Sequence, residues 1–346
     1  MTRRHDIDWL RVIAIALLLV YHTAIAFQPW GFMLGFITTD KPLSSLWLPL
    51  TMLNVWRIPL LFCISGMGVC FASQTRTWKQ LLLERSRRIL LPFVFGVFII
   101  VPLQIMLVQR YYRQSITYIP NPAHLWFLGN IFVYVLLLLP VFDFFNARLH
   151  LRPRLFSTPL ALALVVAAFV LEVRCAVPPI YELYAFTWHG FFLGLLAFLF
   201  GYCFMLAGTP FWKMLLTWRW LFLALAIALY IHRLVQPQMK VPNTWLAIES
   251  CCWIFAVLAF GHRHLNRPGR ALQYLSQAAY PIYIIHMIFL YLACWVVFPL
   301  AANDWLKFVL VLIFTMTGCF ALYELVIRRV GPLRVLFGLK ATACCR

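Results

Sequence analysis

The sequence predicts an all-α fold: a polytopic membrane bundle of about ten transmembrane helices with both termini in the cytoplasm. Three observations predict it. Hydrophobic residues make up 64% of the 346 and charged residues only 11%, and the mean hydropathy is +0.87. That is more apolar surface than a water-soluble chain of this size needs. The apolar runs recur at about 20 residues, the length that crosses the hydrocarbon core as a helix. The basic residues are sorted onto alternate loops.

The elements follow in order. The first span, Ile7–Phe27, comes after Arg3 and Arg4 and stops before Gln28-Pro29. Lys41-Pro42 precedes the second, Leu46–Ala72, with Trp47 at its entrance. The basic run Arg76 to Arg88 leads into the third, Ile89–Val108. Asn121-Pro122 opens the fourth, His124–Phe144, and Arg148 to Arg154 close it. The fifth, Pro159–Cys175, is short and ends before Pro178-Pro179. Trp188–Ala207 is the sixth, and Lys213 and Arg219 lie before the short seventh, Trp220–Leu234. Gln236-Pro237 separates it from the eighth, Trp245–Phe260. Arg263 to Arg270 precede the ninth, Tyr280–Pro299, and Trp305–Ile327 is the tenth. The tryptophans at these ends suit an interfacial aromatic belt.

With the N-terminus inside, the inner segments carry 20 of the 29 Lys and Arg and the outer ones seven. Arg11 and Arg57 lie within spans. The +19 charge is therefore largely a topology signal rather than a nucleic-acid surface, although it also draws anionic cytoplasmic ligands. No linker divides the chain, so residues 1–346 read as one membrane domain. Asp6 and Asp8 interrupt the basic start, which argues against a cleavable signal peptide. The ten cysteines, including Cys344 and Cys345, form no CxxC and read as small apolar packing residues. No metal-ligand spacing, nucleotide-binding glycine loop or G-x-S-x-G elbow is present.

Polar groups inside the spans carry the functional signal, because ionisable side chains are costly in hydrocarbon. Arg11 and His22 are eleven steps apart, which in an α-helix returns to within about 20° and rises roughly 16 Å. They share one stripe. Histidine suits a general base or nucleophile there. Asp8 lies near the same stripe and three residues before Arg11, close enough to pair with it. Arg85 and Arg88, in Glu84-Arg85-Ser86-Arg87-Arg88, are i, i+3 neighbours at the inner end of the third span. Their guanidinium forks suit polyphosphate, and a plain topological anchor reads equally well.

Arg57 faces a polar interior or pairs with a carboxylate such as Glu249. Ser65-Gly66 permits close helix packing. His124 and Trp126 open the fourth span from outside, as an acceptor's entrance or as interfacial anchors. Tyr280, Tyr283 and His286 form a polar stripe at i, i+3 and i+6, within an arc of about 120°. His262-Arg263-His264 reads as a solvated inner loop, and His189 and Glu182 as outer-surface groups that a substrate can meet.

These residues together resemble the integral-membrane acyltransferase 3 family over nearly the whole chain. Its R-x10-H start is matched by Arg11 and His22, its R-x-x-R by Arg85 and Arg88. Its S-G motif is matched within Leu61-Phe62-Cys63-Ile64-Ser65-Gly66, and its late Y-x-x-Y-x-x-H by Tyr280, Tyr283 and His286. Ser45-Leu46-Trp47-Leu48, His124-Leu125-Trp126-Phe127-Leu128, Phe260-Gly261-His262-Arg263 and Tyr323-Glu324-Leu325 resemble the branch that succinylates periplasmic glucans. Val12 follows Arg11 where the family commonly has glycine, and Met67 follows Ser65-Gly66 where an aromatic is common.

The resemblance implies a multi-pass protein of the bacterial inner membrane. It implies a cytoplasmic acyl-CoA donor, a carbohydrate acceptor on the outer side, and no metal. His22 is then the catalytic group, with Asp8 and His286 beside it. Arg11, Arg85 and Arg88 hold the donor. Arg57, His124, Trp126, Tyr280 and Tyr283 contact substrate. A homo-oligomer is admitted without being required. The rival class is a transporter or flippase that moves an acyl, lipid or sugar species without group transfer. It suits ten helices with intramembrane charge equally well, but no second copy of the Arg11/His22 pattern marks an inverted repeat.

Overall fold

A computed structural model describes residues 4–149 and 158–340. Among the described residues every regular element is helical, and ten helices are long and apolar enough to cross a membrane, as hydropathy predicts. They are α1 (His5–Ile25), α2 (Trp47–Ser73), α3 (Trp78–Tyr111), α4 (Trp126–Leu149), α5 (Pro159–Ala176), α6 (Trp188–Ala207), α7 (Thr209–Val235), α8 (Asn243–His264), α9 (Arg270–Val297) and α10 (Asp304–Ile327). A short α11 (Gly331–Leu336) follows. Arg3, Arg152, Arg154, Cys344, Cys345 and Arg346, counted above, lie outside the described residues.

Local chemistry sets the ends. Thr187 Oγ1 accepts the Gly190 N–H at 3.0 Å and Asn303 Oδ1 the Trp305 N–H at 2.9 Å, capping α6 and α10. Pro159 sits in the first turn of α5, where a missing N–H costs nothing. Three helices start well ahead of the expected boundaries. α3 starts at Trp78, because its basic run is itself helical, α7 starts at Thr209, straight after Gly208, and α9 starts at Arg270. Gly208 holds φ 64 and ψ −150, a conformation essentially reserved for glycine, and so reverses the chain in one residue. Trp188, Trp245 and Trp305 are exposed near their helix starts, where an aromatic belt places them, whereas the exposed Trp220 lies well inside α7.

The chain divides into two compact units, with boundaries that fall inside α1 to α4. One comprises residues 1–11, 51–83 and 130–269. Its helices cross on small residues: a Cβ added to Gly66 would strike the Phe198 carbonyl, and one on Gly201 the Cys63 carbonyl. The expected close packing at Ser65-Gly66 is thus a direct backbone approach of α2 to α6. Gly201→Leu should lower stability by at least the ~1–3 kcal/mol of ordinary overpacking, because the obstacle is main chain. The measurement is the fraction surviving a heat step as monodisperse protein. Gly269→Leu, with open space around its Cβ, should survive like wild type.

The other unit comprises residues 12–50, 84–129 and 270–346. Its core packs Phe27, Phe36 and Ile37, from the segment after α1, against Met287, Tyr291 and Cys294 of α9 and Val311 of α10. Cys63, Cys70, Cys203, Cys251, Cys252, Cys294 and Cys319 are free and buried, as apolar packing predicts, and Cys175 is exposed.

Candidate active site

The second unit gathers His22 of α1, His286, Tyr283 and Tyr280 of α9, Arg85 and Arg88 of α3, Trp126 of α4, and His124 in the 3-10 turn Ala123–Leu125 before it. His22 Nδ1 lies 2.8 Å from His286 Nε2, with the two rings stacked at 5.1 Å. His286 is fully buried, and its Nδ1 is 2.7 Å from the Tyr283 carbonyl. A carbonyl only accepts, so His286 Nδ1 carries the proton and donates. In a neutral pair His286 Nε2 therefore accepts, His22 Nδ1 donates, and the lone pair of His22 is left on Nε2. The sequence stripe placed these two histidines in the same class of residue but did not show that they touch.

His124 braces this pair. Its Nε2 donates to the Ile284 carbonyl at 3.2 Å, and the Tyr283 hydroxyl donates back to the His124 carbonyl. The His124 ring stands edge-on to His286 at 5.0 Å. With Nε2 donating, His124 Nδ1 holds a lone pair, and this buried atom has no partner among the described residues. Trp126 packs its ring against Phe127, whose own ring meets Tyr283. Phe36 closes on the His22 ring at 5.7 Å. A polar cluster in an apolar wall of this kind favours proton transfer at fixed atoms.

Arg85 and Arg88 sit at another point of the same unit. Ser86–Leu90 is a π turn, so the i, i+3 alignment expected of an α-helix does not apply there. A second π turn, Gly96–Ile100, follows in α3. The absent Cβ of Gly96 lets Leu125 and Ile284 close over it, beside His124. π turns are often found at functional sites. Arg88 pairs with Glu84 at 3.3 Å and stays partly exposed. Tyr280 belongs to this arginine end: its ring and the Arg88 carbonyl both flank Gly338. From Tyr280 to His286 is six residues of α9, a rise of about 9 Å.

Asp8, Arg11 and Arg57 belong to the first unit. Asp8 Oδ1 is 3.8 Å from Arg11 Nη1, the i, i+3 pairing expected from their spacing. Arg57 is 1% exposed. Glu249 bonds Arg233, at 3.0 Å. Arg233 also reaches Glu182 at 3.2 Å and the Thr51 carbonyl at 3.2 Å. Burial pushes the Glu182 carboxyl above its ordinary pKa, against the pull of Arg233.

His189 is not a surface group: it is 2% exposed, with Nδ1 at 2.9 Å from Glu172 and Nε2 at 3.0 Å from the Tyr181 carbonyl. His262 is not in a solvated loop either. It ends α8 and contacts Asp6 at 3.2 Å and Arg4 at 2.9 Å, and the Arg4 guanidinium covers Trp212. Hydropathy alone carries no signal for these pairings, which bring His189 to Glu172 of the preceding helix and His262 to Asp6 near the N-terminus.

No curated protein and no solved structure matched the chain. A family model described as an acyltransferase domain matches residues 4–324, a stretch that includes every candidate residue from Asp8 to His286. With ten bilayer-length helices among its described residues, the chain is a multi-pass membrane protein that belongs to this acyltransferase family.

Proposed function

We propose that the protein transfers an acyl group from cytoplasmic acyl-CoA to a hydroxyl of an extracytoplasmic carbohydrate. The acyl group is succinyl or acetyl, and the acceptor is a periplasmic glucan or another cell-envelope glycan. The membrane is the bacterial inner membrane, with both termini in the cytoplasm. The observation that carries the reading is the His22–His286 contact backed by the Tyr283 carbonyl.

In the proposed step the acceptor hydroxyl gives its proton to His22 Nε2 while its oxygen attacks the thioester carbonyl carbon. The His22 imidazolium is held through Nδ1–H by His286 Nε2. The carbon–sulfur bond then breaks, and the thiolate of CoA takes the proton from His22 Nε2. The lone pair on His124 Nδ1 receives a second hydroxyl of the sugar, with Trp126 beside it. Arg85 and Arg88 hold the donor's phosphates as charge-assisted forks. The assignment of Arg11 and Arg57 to the donor rests on the family resemblance. The sequence likeness to the glucan-succinylating branch supports succinyl as the group to test first.

The purified protein in nanodiscs should release CoA from succinyl-CoA or acetyl-CoA only when an oligosaccharide acceptor is present. The acceptor should gain the acyl mass by mass spectrometry. A transporter releases no CoA under these conditions, and that result would overturn the proposal.

A further inference from the structure

The segment after α10 lies beyond the residues that the family model matches, yet it is built into the arginine end of the second unit. Arg334 closes it into a hook. Its Nη1 donates to the Arg328 carbonyl at 2.7 Å, and its Nε and Nη2 donate to the Lys340 carbonyl at 3.1 and 3.0 Å. Phe337 is buried and meets the Phe95 ring at 5.4 Å, one turn past the π turn that holds Arg88.

Gly338 then seats the hook. It adopts φ +71, and an added Cβ would lie 2.8 Å from the Arg88 carbonyl and 2.7 Å from the Tyr280 ring. Both restrictions select glycine: the backbone conformation and the lack of space. The Leu339 N–H donates to the Arg334 carbonyl at 2.8 Å and the Gly338 N–H to the Val335 carbonyl at 3.0 Å, so the turn itself is fully bonded.

We propose that Gly331–Lys340 is a positioning element for the donor site: by seating Gly338 against Arg88 and Tyr280, it sets the π turn from which Arg85 and Arg88 reach the phosphates. This rests on the donor reading above. The hook supports the main chain of Arg88, while Arg88's own side chain stays partly exposed and pairs with Glu84. A support on the backbone leaves the guanidinium available to a ligand. The hook also carries positive charge of its own, on Arg334 and Lys340, which raises the local concentration of a polyanionic donor.

The test is calorimetric titration of the full-length protein with CoA. Wild type should bind, and Arg85→Ala with Arg88→Ala should lose binding. Gly338→Ala should raise Kd about tenfold at unchanged stoichiometry, the equivalent of one weakened charge-assisted contact. Arg334→Gln, which opens the hook without touching the π turn, should move Kd the same way. Gly35→Ala is the control: it has φ +79 but open space around its Cβ, and should bind like wild type. A purely structural role would lower the stoichiometry and leave Kd alone, and that result overturns the proposal. So does wild-type Kd in both hook variants while the double arginine variant fails to bind. If Gly338→Ala does not fold, Arg334→Gln decides alone. If wild type itself does not bind CoA, the donor reading and the hook proposal fall together.

Discussion

His22→Ala should slow acyl transfer by about 10²–10⁴-fold, the range lost when a positioned acid–base group is removed. The protein should still fold and insert, because His22 is only half-buried and its ring leaves a small gap beside Phe36. The structure makes a sharper prediction about its neighbour. His286 acts on His22 by accepting from Nδ1, so what matters at position 286 is an acceptor in that place. His286→Gln can present its amide oxygen and should retain more activity than His286→Leu, which presents nothing. The pH–rate profile of the Leu variant should also move, since the His22 imidazolium loses the group that stabilises it. The measurement is the initial rate of CoA release against pH for the three variants at matched protein levels. His22→Ala turning over at the wild-type rate would remove His22 from the mechanism.

Arg233→Met should destabilise the fold by about 3–5 kcal/mol, the cost of leaving a buried charge without its partner. Glu249 is 1% exposed and Arg233 2%, so water does not replace the lost guanidinium. Glu182 and the Thr51 carbonyl lose the same donor. Replacing both partners, as Arg233→Met with Glu249→Leu, should recover part of the loss, because no isolated charge then remains at Glu249. Detergent-based unfolding followed by tryptophan fluorescence reads both. A stable single variant would mean that this cluster is wetter than its burial indicates.

The spans were legible because hydrocarbon imposes a length and a charge distribution on any helix that crosses it. The candidate residues were legible for a related reason: Arg11, His22, Arg57 and His286 stand out against apolar neighbours. What sequence did not disclose is who meets whom. Nothing in the pattern of residues paired Glu249 with Arg233, which the placement of α7 along α8 brings to it. The π turns at Ser86–Leu90 and Gly96–Ile100 were invisible because a hydrophobic pattern does not distinguish them from α-helix in so few residues. His189 and His262 were misplaced because a polar residue near a span end reads as surface, whereas Glu172 and Asp6 draw them inward.

One consequence follows from α9. Tyr280 and His286 are fastened to the same rod, the first against Gly338 and the second against His22. Pro281 has no N–H to give the Gln277 carbonyl one turn before it, so the rod has a soft joint beside Tyr280. A screw motion of the rod above that joint swings Tyr283 and His286 as one body. If the donor binds as proposed, a substitution that stiffens the joint should slow turnover and shift donor affinity in the same molecule.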